Sequence, residues 1–482
     1  MKADFINEPE LEFGRGGRHI DVRFGLSHFG PLDAGGTARQ AIRVGVIGDD
    51  ATNDLFHEWL ARCRGGIEAK QSTLPTLFPR FNGFGDGGAF CDFVSDAHWT
   101  RAIPSGDLEE LSRIEPTQLM IDRVIARYLE EAKDLASKSP DVIVCILSPK
   151  LLKRIDVQSA ERRGPRSRRK SAVANAPEKI HLHDLLKARG MSIGRPLQVT
   201  RPGTLGGDVQ RYRLDGTASL DMQDEATRAW NFFCALYYKA GGTPWRLVRE
   251  STELATCYVG VSFFEAGDGS SLQTSVAQVF NERGEGVVVR GGPATISKED
   301  RTPHLEREDA AKLLVKALTI YRREHRTMPA RMVCHKSSYF TDDEIAGFRD
   351  AAKQERIDAV DLVSIRKSMT RLYRQGAYPP LRGTCLELDD SESLLYTNGS
   401  VDFYRCYPGL YVPRALSVEW DDAHQAPRKL LREILALTKM NWNTTTFANS
   451  EPITIGAARV VGDIMRHIRE GEPLQEGYSY YM

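Results

Sequence analysis

Apolar runs of strand length alternate with amphipathic stretches along most of this chain. The runs 42–48 (IRVGVIG), 141–147 (DVIVCIL) and 196–201 (PLQVTR) read as buried strands. Stretches 52–64, 183–189 and 227–242 read as helices, and glycines close the last of them. Strands alternating with helices predict a sheet covered by helices. Past Trp245 the pattern changes. Three strands come in succession at 256–264, 274–281 and 284–292, the last two joined through NERGEG as a hairpin. Then come a helix (306–325), a strand (330–337), a helix (342–354) and a strand (359–368). Two helices end the chain, at 427–442 and 454–470.

Three antiparallel strands followed by helix, strand, helix, strand is the order of an RNase H-like fold. The fold class expected is therefore α/β, a Rossmann-like domain at 41–244 followed by an RNase H-like domain at 245–482. Residues 1–40 are rich in Gly and Pro and read as a strap lying across other domains. The strap carries Phe5, Leu11, Phe13, Phe24, Leu26 and Phe29, more large apolar residues than an exposed loop should. They are expected to pack on the chain's own domains or under a partner protein.

With 41% hydrophobic and 27% charged residues among 482, the chain has a globular composition. No apolar run reaches the length of a membrane span, and the first residues lack a basic-then-apolar signal pattern. A cytoplasmic protein is expected. The eight cysteines are scattered without a C-x-x-C, which argues against a local zinc site or a disulfide framework. A dinucleotide would be the usual tenant of the first sheet. After its first strand, however, stands GVIGDD rather than G-x-G-x-x-G, and GFGDGG (83–88) follows no strand.

Net charge is zero but unevenly spread. Residues 161–249 hold 17 Lys/Arg against 8 Asp/Glu, with ERRGPRSRRK (161–170) as the extreme. This is either a solvated basic loop or a footprint for nucleic acid. Inside it lies KIHLHDLLKARG (179–190), where His183 and Lys187 stand four apart on one helical face. A solvated turn and a phosphate site both fit that pair.

The stretches NEPELEFGRGGRHIDVRFGL with a following GP, HDLLKARG, and LTKMNWN…PITIGAARVVGDIM resemble a prokaryotic Argonaute over nearly the whole chain. The length resembles the short form of that family, built from MID and PIWI domains alone. The resemblance implies that the MID domain holds the 5′-phosphate of a guide strand, and that the matching positions are His183, Lys187, Gln198 and Lys239. Lysines supply point charges to phosphate, and the Gln amide donates. Full-length members carry Tyr where His183 stands, so stacking on the first base is expected to differ. A magnesium ion at the phosphate is compatible with the resemblance.

The resemblance also implies a slicer site with two magnesium ions, whose ligands appear as G-x-D on the first PIWI strand and R-D-G at the end of the fourth. Ser262 stands where the first Asp belongs. His335 and Lys336 stand at the second, and Asn441 and Asn443 near the last. Asp268 lies close by in a Gly-rich turn. No catalytic residue is expected, and no metal in the slicer site. The implied function is recognition of a complementary single-stranded DNA target through a small guide RNA. On binding, the chain would activate an APAZ-domain effector, sirtuin-like or TIR, that consumes NAD in defence against plasmids and phage. The implied assembly is a 1:1 heterodimer, with larger assemblies on activation, and no membrane. A nuclease with unrecognised acids and a plain nucleic-acid-binding scaffold remain the alternatives.

Overall fold

The computed structural model describes residues 1–34, 41–85, 87–152, 154–155, 182–206, 223–248, 253–266, 272–280, 286–298, 300–373, 379–409, 412–468 and 471–482. The basic run 161–170, Asp268 and the NERG part of the hairpin turn lie outside them. Contacts divide the chain into two compact units. One holds residues 1–38, 71–79 and 230–482, the other residues 39–70 and 80–229.

The strap opens with strand β1 (Lys2–Phe5) and helix α1 (Val22–Phe29). Asp21 caps α1, accepting from the backbone N–H of Arg23 and Phe24. Leu11, Phe13 and Leu26 are fully buried, whereas Phe5 remains 37% exposed. Three of the strap's six apolar anchors therefore pack inside their own unit, and the motive for a covering partner falls away at those positions.

In the other unit, β2 (Ala41–Gly48), β3 (Asp92–Val94), β4 (Thr100–Ala102), β5 (Val142–Ile146) and β6 (Leu197–Thr200) form a parallel sheet. β5 is buried along its whole length, as expected of a strand covered on both faces. Helices α2 (Asp50–Arg64), α3 (Ser105–Ser112), α4 (Thr117–Ser137) and α5 (Leu182–Gly190) accompany it. The 21-residue α4 was absent from the pattern read above. It buries Met120, Ile121, Val124, Ile125 and Tyr128 against the sheet and α5. Helix α6 (Glu225–Lys239) begins in this unit, and its residues from Trp230 belong to the other.

The remaining strands are β7 (Thr256–Glu265), β8 (Leu272–Phe280), β9 (Gly286–Val288), β10 (Arg331–Lys336), β11 (Ala359–Lys367), β12 (Thr384–Glu387), β13 (Glu392–Leu395) and β14 (Leu416–Ala423). With β1 they make a nine-stranded sheet in the order β1-β12-β13-β14-β11-β10-β7-β8-β9. The centre, β7-β10-β11, is parallel, and β8 and β14 flank it antiparallel. Helices α7 (Arg307–His325) and α8 (Asp342–Gln354) cover one face, packed on Val259, Val261, Met332 and Cys334. Helices α9 (Pro427–Leu437) and α10 (Ile453–Met465) contribute to the core of the other face, with Val363, Ile365 and Val418. The expected α/β architecture, a Rossmann-like sheet and an RNase H-like sheet, is present. Among the described residues no helix is long and apolar enough to cross a membrane.

Candidate nucleic-acid interface

Helix α5 leans on the first sheet through Leu182, Leu185 and Leu186, and this packing decides where its polar residues go. His183, in the first turn, is exposed, and its Nδ1 stands 2.7 Å from the Asp184 carboxylate. Lys187, one turn on, is buried to 2% exposure. Burial pulls its ammonium down to about 7, and the Asp184 charge opposes the shift. Gln198 lies on β6 opposite Val144 and donates its amide to the Val199 carbonyl at 3.2 Å. These three residues belong to one unit. Lys239, the last residue of α6, is buried to 3% and belongs to the other. The pairing of His183 with Asp184 was not read from the sequence. It places a carboxylate in the first helical turn, the place where an anion would otherwise meet free backbone N–H groups.

The second candidate lies at the end of the parallel strands. β7 and β10 pair with Gly260 opposite His335 and Val261 opposite Lys336. Side chains alternate faces along a strand. Lys336 therefore shares the face of Val261, under α7 and α8, whereas Ser262 shares the other face with His335. Of the two residues expected at the second position, His335 and Lys336, the register brings only His335 to the Ser262 face. The residue that continues the ladder opposite Ser262 is Ser337, whose N–H reaches the Val261 carbonyl at 3.3 Å.

Lys336 has another engagement. Its Nζ donates to Glu344 Oε2 at 2.7 Å and to the Tyr339 carbonyl, and lies 3.2 Å from His304 Nδ1. His304 continues to Asp300 at 2.8 Å. Burial lowers the Lys336 ammonium, and the Glu344 charge opposes that.

On the opposite face, His335 Nδ1 meets Thr454 Oγ1 at 2.9 Å, and burial, then Arg331, pulls the imidazole down to about 3. A buried imidazole thus lies on the Ser262 face of the sheet. The backbone of α10 closes on the same spot. A Cβ at Gly260 would lie 2.1 Å from the Thr454 carbonyl oxygen. Asn441 and Asn443 form a turn, Asn441 Oδ1 accepting from the Asn443 N–H at 3.1 Å. Between them Trp442 is buried and stacks on Tyr238 at 4.8 Å. That turn packs the chain and does not assemble a ligand set. Among the described residues no group of three His, Cys, Asp or Glu could hold a metal ion.

No family model matches the chain, and no curated protein does. Solved structures do. The chain is similar to a Clostridium butyricum Argonaute bound to a guide DNA and a 19-mer target DNA, at 12% identity and a TM-score of 0.63 over 98% of this chain and 53% of that one. It is similar to an Aa-Ago with externally bound siRNA (15%, TM-score 0.59, 100% and 56%) and to Drosophila Piwi (14%, TM-score 0.59, 99% and 56%). The chain thus spans about half the length of the structures it matches. Taken with the two sheets and their order, these likenesses establish that the chain has an Argonaute-like MID–PIWI fold.

Proposed function

We propose that this chain recognises nucleic acid through a small guide strand and does not cut it. The observation that carries the reading is Lys187, a lysine buried to 2% exposure on α5, one helical turn after the exposed His183. Burial disfavours the charged form of that ammonium, and a phosphate monoester close by would favour it. His183, Lys187 and Gln198, all in one unit, are the residues assigned to the guide 5′-phosphate; Lys239, expected from the resemblance, belongs to the other unit. Specificity would come from base pairing, while the protein reads backbone and shape.

The second half of the reading rests on Ser262 and Ser337. Two magnesium ions need oxygen-rich ligands, and serines in place of both aspartates supply no charge to hold them. A magnesium ion at the guide phosphate does not fit well either. Asp184 is the carboxylate of that helical turn, and it is engaged with His183. Lysine charge serves there in its place.

A chain that binds without cutting needs an effector. The partner in this reading is an APAZ-domain protein with a sirtuin-like or TIR domain that depletes NAD, in a 1:1 complex with the chain, serving defence against invading DNA. The guide is RNA and the target single-stranded DNA. Purified protein should bind a 5′-phosphorylated strand in preference to a 5′-hydroxyl strand and leave a paired target intact with magnesium or manganese present. A cut at the centre of the guide duplex would instead favour a nuclease with unrecognised acids. Indifference to the 5′-phosphate would favour a plain scaffold.

A further inference from the structure

The strap and a distant turn build a cluster of half-exposed rings that the proposed phosphate site does not use. His19 stacks on Phe24 with centroids 5.7 Å apart and planes 20° from parallel. Phe403 meets both edge-on, at 5.5 Å from His19 and 5.2 Å from Phe24. His28, which is exposed, extends the cluster 6.3 Å beyond Phe24. His19, Phe24 and Phe403 are each half-buried.

Hydrogen bonds tie the cluster down. Asp21 caps α1 and accepts a hydrogen bond from the Tyr404 hydroxyl, so one buried carboxylate pins the strap to the 402–404 turn. The Asp21 N–H reaches His19 Nδ1 at 2.8 Å and fixes that ring as well. The exposed charge on the two segments that carry the rings is mostly positive. Within 14–30 and 400–408 the exposed charged residues are Arg15, Arg18 and Arg405, with Asp402 as the one carboxylate.

We propose that this cluster is a stacking platform for unpaired bases of a single-stranded nucleic acid, resting on the reading of the chain as a nucleic-acid binder. Fixed aromatic faces beside arginines are what a base and its phosphates require, and stacking tolerates any sequence. A protein partner would favour a deeper apolar surface than rings half-buried among arginines.

The test uses the full chain and three 20-nucleotide probes: 5′-phosphorylated oligo(dA), a 5′-phosphorylated strand of the same length with abasic sugars throughout, and 5′-hydroxyl oligo(dA). The readout is the ratio of the affinities for the based and abasic strands, which carry equal charge. The platform predicts that His28→Ala with Phe403→Leu lowers this ratio about tenfold relative to the unaltered protein. Phe403→Tyr, which keeps the ring, should retain it. The exposed His28→Ala alone should lower it about threefold, whether or not the double variant folds. An unchanged ratio in His28→Ala and in the folded double variant overturns the platform. If those variants also shed a co-purified protein, the surface belongs to a protein contact, and the platform is equally overturned. The preference of the unaltered protein for phosphate over hydroxyl ends reports the guide-binding reading separately.

Discussion

Lys336 Nζ lies 2.7 Å from Glu344 Oε2, and neither side chain has any exposure to solvent. A lysine at the end of β10 is thus committed to the inside of the fold. Glu344 also closes the capping box of α8 with Thr341 and accepts the Leu305 N–H at 2.9 Å. Glu344→Gln would leave the ammonium buried without its counter-ion, and losing one partner of a buried pair costs about 3–5 kcal/mol. Urea denaturation should show a loss in that range. A change below about 1 kcal/mol would mean that water or His304 already satisfies Lys336.

The same pair shapes attempts to restore cutting. Lys336→Asp would set a second carboxylate against Glu344 and is expected to give unfolded protein. Ser262→Asp with Ser337→Asp puts carboxylates at the positions the strand register marks. It should still give no cleavage of a guide-paired target, because His335 with Thr454 and the α10 backbone lie on that face of the sheet. Metal-dependent cleavage by this double variant would show that two serines were the whole defect.

Gly260 reports how tightly α10 is applied to the sheet. A Cβ there would meet the Thr454 carbonyl at 2.1 Å, and that oxygen is backbone, which cannot swing aside. Gly260→Ala is expected to cost about 3 kcal/mol, the upper end for overpacking. A melting curve that coincides with that of the unaltered protein would place α10 further from β7.

Much of this architecture was legible because buried strands are short, continuous apolar runs. The strands 42–48, 141–147, 256–264 and 359–368 all appear within a few residues of their expected places. Short strands outside the parallel centre gave no such signal. β12 and β13 have four residues each and mix charged with apolar side chains, so nothing in TCLE or ESLL marks them as strands. The site was half legible. His183 and Lys187 could be named from their spacing and the resemblance, but the charge that sits on His183 is its own neighbour, Asp184. Lys336 was placed one residue out of register, because the face a strand residue presents depends on its pairing partner. Its network joins residues 8 and 32 positions away, beyond the reach of any local pattern.

Lys187 makes phosphate binding pH-dependent. Burial takes its ammonium from 10.5 to about 7, so above pH 7 the free protein carries it mostly neutral. A bound phosphate favours the charged form and raises that value, so binding takes up a proton between about 7 and the raised value. The preference for 5′-phosphate over 5′-hydroxyl strands should therefore fall as pH rises above about 7. Ionisation of the phosphate itself, near pH 6, would act in the opposite direction. In folding, the lowered value means that the unfolded chain binds more protons from about 7 to 10.5, so this group makes stability rise with pH in that window. Lys187→Arg, which cannot lose its proton, should flatten the binding profile. A preference independent of pH from 7 to 9 would remove Lys187 from the phosphate site.

The central claim is that α5 grips a guide 5′-phosphate. Its most direct test is the affinity of a His183→Ala, Lys187→Met variant for 5′-phosphorylated and 5′-hydroxyl strands, measured at near-physiological salt, where the sequence-independent background is suppressed. Methionine keeps the buried volume of Lys187, so packing of α5 is preserved. Each charge-assisted contact to phosphate contributes about 1.5–3 kcal/mol. The phosphorylated strand should therefore bind about a hundredfold or more weaker, allowing for non-additivity, while the hydroxyl strand changes little. Equal losses for the two strands, or no loss for either, would contradict the account and leave this helix as a packing element with a solvated first turn.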